Sequence, residues 1–514
     1  MNDSGKTPKV CELTRRHLLQ KGLATGAALS FDSVQGDDGA TTKKDLILRE
    51  NKKPGTLDWM LNKTSTRKPR GFRASEVEGF CSATSLRGGE TLKFYVNTES
   101  ESSVTIDLYR MGYYQGLGGR HVDSLGPYAI TPAITPQPDP GIGEERRREC
   151  LWEVTTEYVI PKDWVSGVYV GKLTCQKTKF QSYLVFILRD DRNADYLFQC
   201  SDLTWQAYNR WPTSFALYDD GTNPWYCGPG VTVSFDRPYG KYCQIVDAPL
   251  STGSGSWFLW EFPMAFWMES KGYDVSYISN LDTHCDPQGL LRTKGFLSIG
   301  HDEYYSIEMY RNLLAAREAG VSLGFFSGDT CWGRVDPKPS KNGEANRCFS
   351  RIDAFGPQLP GGDWEGTEKF HYATASESLL VGARNLPPVS GGGDWICSLP
   401  EHWIYEGTQM RMGDRITGLI GWEWMGMPAA LPGLEVIATG PTKNASSEAK
   451  GKGVYSATIY PGPQNNFVFN AATCWWADGL SEPPGYVRPK AYTEPMGPDP
   501  RVQKMTENVL QRMI

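Results

Sequence analysis

A chain of 514 residues, 39% hydrophobic and 22% charged, has room for about two to four domains with large cores, which excludes a disordered or collagen-like protein. Its 53 Lys and Arg against 59 Asp and Glu give a net charge of −6, with no basic excess to grip a phosphate backbone, so nucleic acid is excluded as the main partner. No apolar run reaches the roughly 18 residues that span a bilayer, so no membrane span is expected.

At the N-terminus, Thr14-Arg15-Arg16-His17-Leu18-Leu19 precedes Lys21 and a mildly apolar stretch from Gly22 to Phe31. Residues 1–32 read as a twin-arginine export signal, which predicts a periplasmic protein. The alternative is a cytoplasmic chain with a chance Arg-Arg pair. Residues 33–74, polar and rich in Gly, Asp and Lys, read as linker. Twelve cysteines run from Cys11 to Cys474 without a C-x-x-C pair, which argues against zinc ribbons and thioredoxin-type motifs. Most are expected to be small buried hydrophobes.

Between residues 75 and 192 the hydrophobic period is two. Val104, Ile106 and Leu108 alternate with Thr105, Asp107 and Tyr109; Val168 and Val170 alternate with Tyr169 and Gly171; Ser182 to Leu188 is a buried run. Turns at Arg87-Gly88-Gly89 and Gly116-Leu117-Gly118-Gly119 separate these runs, the pattern of an antiparallel β-sandwich.

From residue 193 to 514 strands alternate with helices. Asp195–Cys200, Tyr273–Ile278, Gly295–Gly300 and Val321–Phe326 read as strands, Phe258–Lys271 as a helix closed by Gly272, and Ser306 as the N-cap of a helix running to Ala319. That alternation predicts a parallel sheet with covered faces, where ligands sit beyond the carboxyl ends of strands. The rule selects the loops 205–211, 280–286, 301–305 and 327–334. Strand signals return at Leu434–Ala438 and Asn466–Asn470, and the last helix, Pro500–Ile514, turns Val502, Met505, Val509 and Met513 to one face.

His301-Asp302-Glu303-Tyr304-Tyr305 is the densest reactive cluster and follows a buried strand. Imidazole, carboxylates and phenols together suit a hard metal or proton transfer. No G-x-S-x-G elbow, P-loop, G-x-G-x-x-G or H-E-x-x-H occurs, and neither Cys285 nor Cys331 has the surroundings of a G-x-C-x-G nucleophile.

The segments Thr204-Trp205-Gln206-Ala207-Tyr208-Asn209, Gly272-Tyr273-Asp274-Val275, Gly300-His301-Asp302-Glu303-Tyr304 and Gly421-Trp422-Glu423-Trp424 resemble the large subunit of N,N-dimethylformamidase. So do Arg110-Met111-Gly112-Tyr113-Tyr114 and Gly118-Gly119-Arg120, and the chain looks more like the bacterial proteins similar to that subunit. The resemblance runs from about Glu76 to Ile514. It implies a fold of mixed β and α/β type: an N-terminal antiparallel β-sandwich, then a glutamine-amidotransferase-like (flavodoxin-like) α/β domain. It also implies a mononuclear iron held by two tyrosines and one glutamate, acting as Lewis acid on a small non-peptide amide.

Carried over, the resemblance makes Tyr304 one ligand tyrosine and Glu423 the carboxylate, with Glu406 in reserve. The stretch matching the second tyrosine, Phe258-Leu259-Trp260-Glu261-Phe262, has none, so Tyr208 is named instead. His301, Glu303 and His402 are the candidates for catalytic proton transfer. Trp205, Asp302, Trp332, Trp422 and Trp475 are expected to line the substrate pocket, and Arg334 to pair with a neighbouring carboxylate. The implied partners are a small-molecule amide and either a small partner subunit or further copies of the chain. The competing expectation is a binding protein that kept the fold, lost the metal, and offers aromatic loops to a glycan or small molecule.

Overall fold

The alternation of Val104, Ile106 and Leu108 becomes the strand Ser102–Met111, with all three side chains fully buried. The computed structural model describes residues 45–64, 72–136, 147–213, 216–222, 226, 228–241, 249–355, 376–385, 391–444, 452–488 and 497–514. The export signal expected at 1–32 lies outside them.

Two sheets share one apolar cluster in the first half of the chain. One runs Ser85–Arg87, Gln181–Arg189, Gly167–Cys175, Ser102–Met111, Gly119–Ile130; the other runs Glu78–Cys81, Thr91–Asn97, Thr156–Val159. Leu92, Phe94, Ile106, Leu108, Leu173 and Phe186 meet between them. All pairings are antiparallel except that of Ser85–Arg87 with Gln181–Arg189.

The second half centres on a nine-stranded mixed sheet. Five strands are parallel, in the spatial order Val275–Ser279, Ala194–Cys200, Thr293–His301, Ser322–Gly328, Phe467–Asn470. Numbered along the chain this is 2-1-3-4-5, so the order reverses beside Ala194–Cys200, the kind of place where open α/β sheets bind ligands. The sheet continues antiparallel through Lys452–Pro461, Glu435–Asn444, Gly391–Ile396 and Arg415–Trp422. The expectation of a parallel sheet therefore holds for five of the nine strands; Glu435–Asn444, Lys452–Pro461 and Phe467–Asn470 are joined by connections too short for crossovers.

Several elements follow their local signals. Ser306 caps the helix Ile307–Glu318 by accepting from Met309 N–H, and Gly320 leaves it at φ +97°. The helix Pro500–Met513 buries Val502, Met505, Val509 and Met513. Two expected loops begin as helices instead: Asp202–Ala207, and Asn280–Cys285 with a capping box from Ser279 and Asp282. The expected helix Phe258–Lys271 is split into a π-turn, Trp257–Glu261, and the α-helix Phe262–Ser270. Pro263 has no N–H for the Leu259 carbonyl, and Phe262 N–H bonds back to Trp257 O, which widens the turn. Among the described residues no helix is long and apolar enough to cross a membrane.

The stretch expected as linker also differs. Leu46–Asn51 is a helix with Glu50 and Asn51 buried, and Trp59 is fully buried. Its polar composition hid this because Glu50 and Asn51 are buried polar side chains and the buried apolar ones, Ile47, Trp59 and Leu61, are widely spaced. Arg110 sends two nitrogens to Glu269, at 3.0 and 2.9 Å, and Tyr114 and Arg120 both donate to Glu50 Oε1 at 2.8 Å. Asn51 Nδ2 donates to Glu269 at 2.9 Å. The Arg-Met-Gly-Tyr-Tyr motif thus clamps the first sheet, the early helix and the helix Phe262–Ser270 together.

Two outcomes follow from this clamp. Burial alone would raise the Glu50 carboxyl, but Arg110, Lys53 and Arg120 outweigh it and hold it at about 2, against an ordinary 4.5. A depressed carboxylate adds stability above its unfolded pKa and loses it as the pH falls. Thermal melts from pH 5 to 2 should therefore lose about 2 kcal/mol that Glu50→Gln no longer loses, after allowing for screening. Arg110→Met leaves Glu269 buried without its partner and should cost about 3–5 kcal/mol in denaturant melts, much of it recovered in Arg110→Met with Glu269→Met.

Candidate metal centre at the strand ends

Gly300 shapes the start of the site. Its φ is +73°, and a Cβ there would lie 2.4 Å from Trp260 Cβ, so the strand Thr293–His301 can end against the π-turn only through glycine. His301 follows, fully buried, with its ring 6.1 Å from that of Trp260 and 5.5 Å from that of Tyr208. Its Nε2 is 2.6 Å from Glu423 Oε2 and 3.4 Å from Glu303 Oε2. Burial works against the imidazolium, but Glu423 and Glu303 prevail and the pKa of His301 is raised.

Other strand ends deliver the remaining groups. Glu423 follows Arg415–Trp422, Asp329 follows Ser322–Gly328, and Cys474 lies just beyond Phe467–Asn470. His301, Glu303, Asp329 and Glu423, all buried, bring one ligand atom each to within 4.8 Å of one another. Thr204 Oγ1 accepts from Glu303 N–H at 3.0 Å and fixes the loop.

Glu303 receives two phenols. Tyr208 donates to its Oε2 at 2.7 Å and Tyr218 to its Oε1, and the two phenol oxygens are 2.8 Å apart. Tyr208 ends the helix Asp202–Ala207, and the bond from Leu217 N–H to Ala207 O, at 2.7 Å, folds the following loop back to set Tyr218 beside it. Tyr218 was missed in the sequence because Tyr304 was taken as the first tyrosine and the second was sought at Phe258–Phe262 and then placed at Tyr208. The two phenol oxygens, and the Glu303 oxygen that each one meets, are spaced like adjacent positions around one small cation, whose bonds of about 2.0–2.1 Å put neighbouring oxygens roughly 2.9 Å apart. The donor set, two phenols and a carboxylate, is hard and suits an oxygen-preferring cation.

The electrostatics fit a cation as well. Burial, then Glu303, pushes both phenols well above their usual range. Burial, then Glu423 and Glu303, does the same to the Asp329 carboxyl. Three carboxyl groups face one imidazole here, and burial with mutual repulsion raises Glu303 and Asp329 towards their neutral forms; a bound cation would let them ionise.

The other expected residues divide sharply. Tyr304 is fully buried, but its hydroxyl meets the Arg351 guanidinium, which also lies 4.4 Å over the Tyr218 ring and 5.8 Å over that of Trp332. Trp422 and Trp475 cluster with Leu259, Trp260 and Cys474, forming an aromatic wall. Trp205 instead turns under the sheet rim, donating to Glu261 at 2.7 Å. Asp302 points into the fold: Gln199, Ser298 and Tyr305 donate to Oδ2 at 2.6, 2.8 and 2.7 Å, and Asn280 to Oδ1 at 3.0 Å. It is a satisfied anchor between His301 and Glu303 rather than pocket lining.

His402 is not brought to this cluster. Its Nδ1 caps the turn Trp403–Tyr405, its ring packs 4.9 Å from that of Trp403, and Glu435 is 3.6 Å away. Glu406 is exposed. Arg334 pairs with Asp353 at 3.5 Å. The nine described cysteines are free, and all but Cys285 are buried.

No curated protein matches the chain. Among solved structures, a family 123 glycoside hydrolase from Clostridium perfringens shares 9% identity over 55% of this chain, with a TM-score of 0.11; the chain spans about half of that protein, 49%, and so slight a likeness carries no argument. The family model described as N,N-dimethylformamidase beta subunit-like, C-terminal, matches residues 105–491, which include every residue of the cluster around Glu303. The chain belongs to the N,N-dimethylformamidase beta subunit-like family.

Proposed function

We propose that this protein is a metal-dependent hydrolase of the C–N bond in a small non-peptide amide, with a mononuclear iron held by Tyr208, Tyr218 and Glu303. The observation that carries the reading is the convergence of both phenols on one buried carboxylate. An iron held there would supply Lewis-acid polarisation of a carbonyl and acidify water.

The chain's own groups account for the rest. The His301–Glu423 pair, Nε2 to Oε2 2.6 Å, takes a proton from the attacking water through the Glu423 carboxylate, and the proton comes to rest on Nε2 as the imidazolium that Glu423 favours. As the C–N bond breaks, the same Nε2 returns the proton to the leaving amine nitrogen, giving a carboxylic acid and an amine. Trp260, Trp422 and Trp475 exclude bulk water and favour small, weakly polar amides. Asp302, held by four donors, fixes the loop that brings His301 and Glu303 into one cluster. Arg351 orients the rings of Tyr218 and Tyr304, so Tyr304 supports the site and is not a ligand in this reading.

The same proposal takes the two sheets of the first half as a β-sandwich domain over residues 75–192, and residues 193–514 as a flavodoxin-like domain, which the 2-1-3-4-5 order supports. The family's name refers to a beta subunit, which supports a small partner subunit. Export to the periplasm rests on Arg15 and Arg16.

The ligand assignment is tested by comparing three tyrosine variants after iron loading. Tyr208→Phe and Tyr218→Phe should each lose the phenolate-to-iron visible band or shift it strongly, and bind iron at least tenfold more weakly. Tyr304→Phe should keep both properties; a Tyr304→Phe protein that is colourless and iron-free would overturn the assignment. For the reaction, His301→Gln and Glu423→Gln should retain iron and lower kcat on a small N-alkylated amide by about 10²–10⁴-fold. Undiminished turnover in His301→Gln would remove its proposed role.

A further inference from the structure

We propose that His301, Glu423 and Cys474 form a second metal site, distinct from the oxygen set at Glu303, which takes a thiophilic divalent cation such as Zn2+ and inhibits the enzyme. One ligand atom from each of the three lies within 4.8 Å of the others, and all three residues are buried. Imidazole, carboxylate and thiolate suit zinc, with a fourth position left for water or a further ligand. Phenols and carboxylate at the neighbouring set are harder donors, so the two sites sort metals by softness.

The tripod is already assembled. Its members come from the ends of three strands, Thr293–His301, Arg415–Trp422 and Phe467–Asn470. Thr473 Oγ1 ties two of those ends together: it accepts from Gly421 N–H at 3.1 Å and from Trp475 N–H at 3.1 Å, and donates to Gly421 O at 2.8 Å. Gly328 packs against the same two ends, where a Cβ would lie 2.4 Å from Glu423 O and 3.0 Å from Cys474 Sγ. Leu259, Trp260, Trp422 and Trp475 surround the thiol and keep water away. Little ordering is left for a cation to impose, which favours tight binding.

Zinc binding replaces the Cys474 thiol proton, which leaves to solvent, and forms a metal–sulfur bond. It also occupies His301 Nε2, the atom assigned to proton transfer. Inhibition therefore rests on the amidase reading, while binding does not.

Cadmium serves as the probe, because a thiolate bound to it absorbs in the ultraviolet. Titrated into the Cys285→Ser protein, which lacks the one exposed thiol among the described residues, CdCl2 should give a sulfur-to-metal band, one equivalent of which is displaced by ZnCl2. Cys474→Ser should abolish the band, and His301→Gln, which keeps the thiol, should weaken cadmium binding at least tenfold; thermal melts verify that both variants fold. An undiminished band in Cys474→Ser overturns the site. If the protein turns over amides, ZnCl2 should inhibit it at least tenfold more effectively than it inhibits Cys474→Ser. A protein with no amide turnover ends the functional reading, and the cadmium titration still decides this site.

Discussion

An excess of buried negative charge at one rim of the nine-stranded sheet governs the rest of this protein. Glu303, Asp329 and Glu423 meet around a single imidazole, and two phenols donate to Glu303. Carboxylates out of water cost several kcal/mol each unless they are paired, protonated or bound to a cation. Two of those responses are visible: Glu423 pairs with His301, and burial holds the Asp329 carboxyl towards its neutral form. At Glu303 burial outweighs His301 and raises the carboxyl, and the phenols add hydrogen bonds but no positive charge, so a cation at their oxygens would relieve it further.

The surrounding frame keeps those groups from moving apart. Asp302 is locked by four donors directly between His301 and Glu303. The π-turn Trp257–Glu261 holds Trp260 against Gly300 and His301. The helix that continues from this turn ends at the Arg110–Glu269 pair, which ties it to the first sheet and to the helix Leu46–Asn51. The segments on either side of the site are thus braced through a buried charge network.

Much of this frame was legible in the sequence because it depends on local signals. The period-two runs, the Ser306 cap and the glycines after helices act over a few residues, and the corresponding strands and helices are present. His301 and Glu303 were legible for the same reason, as a dense polar cluster just after an apolar strand. Tyr218 was not: only the backbone bond between Leu217 and Ala207 brings it to Tyr208, and no pattern in the sequence announces that fold-back. Asp302 and Trp205 were misplaced because residue type does not say which way a side chain turns at a strand end. His402 was misplaced because capping a short turn and acting in catalysis call for the same residue. The antiparallel half of the sheet was read only in part: Leu434–Ala438 and Asn466–Asn470 carried strand signals, but nothing local showed that Gly391–Ile396 pairs with both Arg415–Trp422 and Glu435–Asn444.

The most direct test of the account is anomalous diffraction at the iron edge from crystals of the iron-loaded protein. The account requires one peak within bonding distance of the Tyr208 and Tyr218 phenol oxygens and the Glu303 carboxylate. A peak at Tyr304, or one bonded to His301 and Glu423 and not to the two phenols, would contradict it.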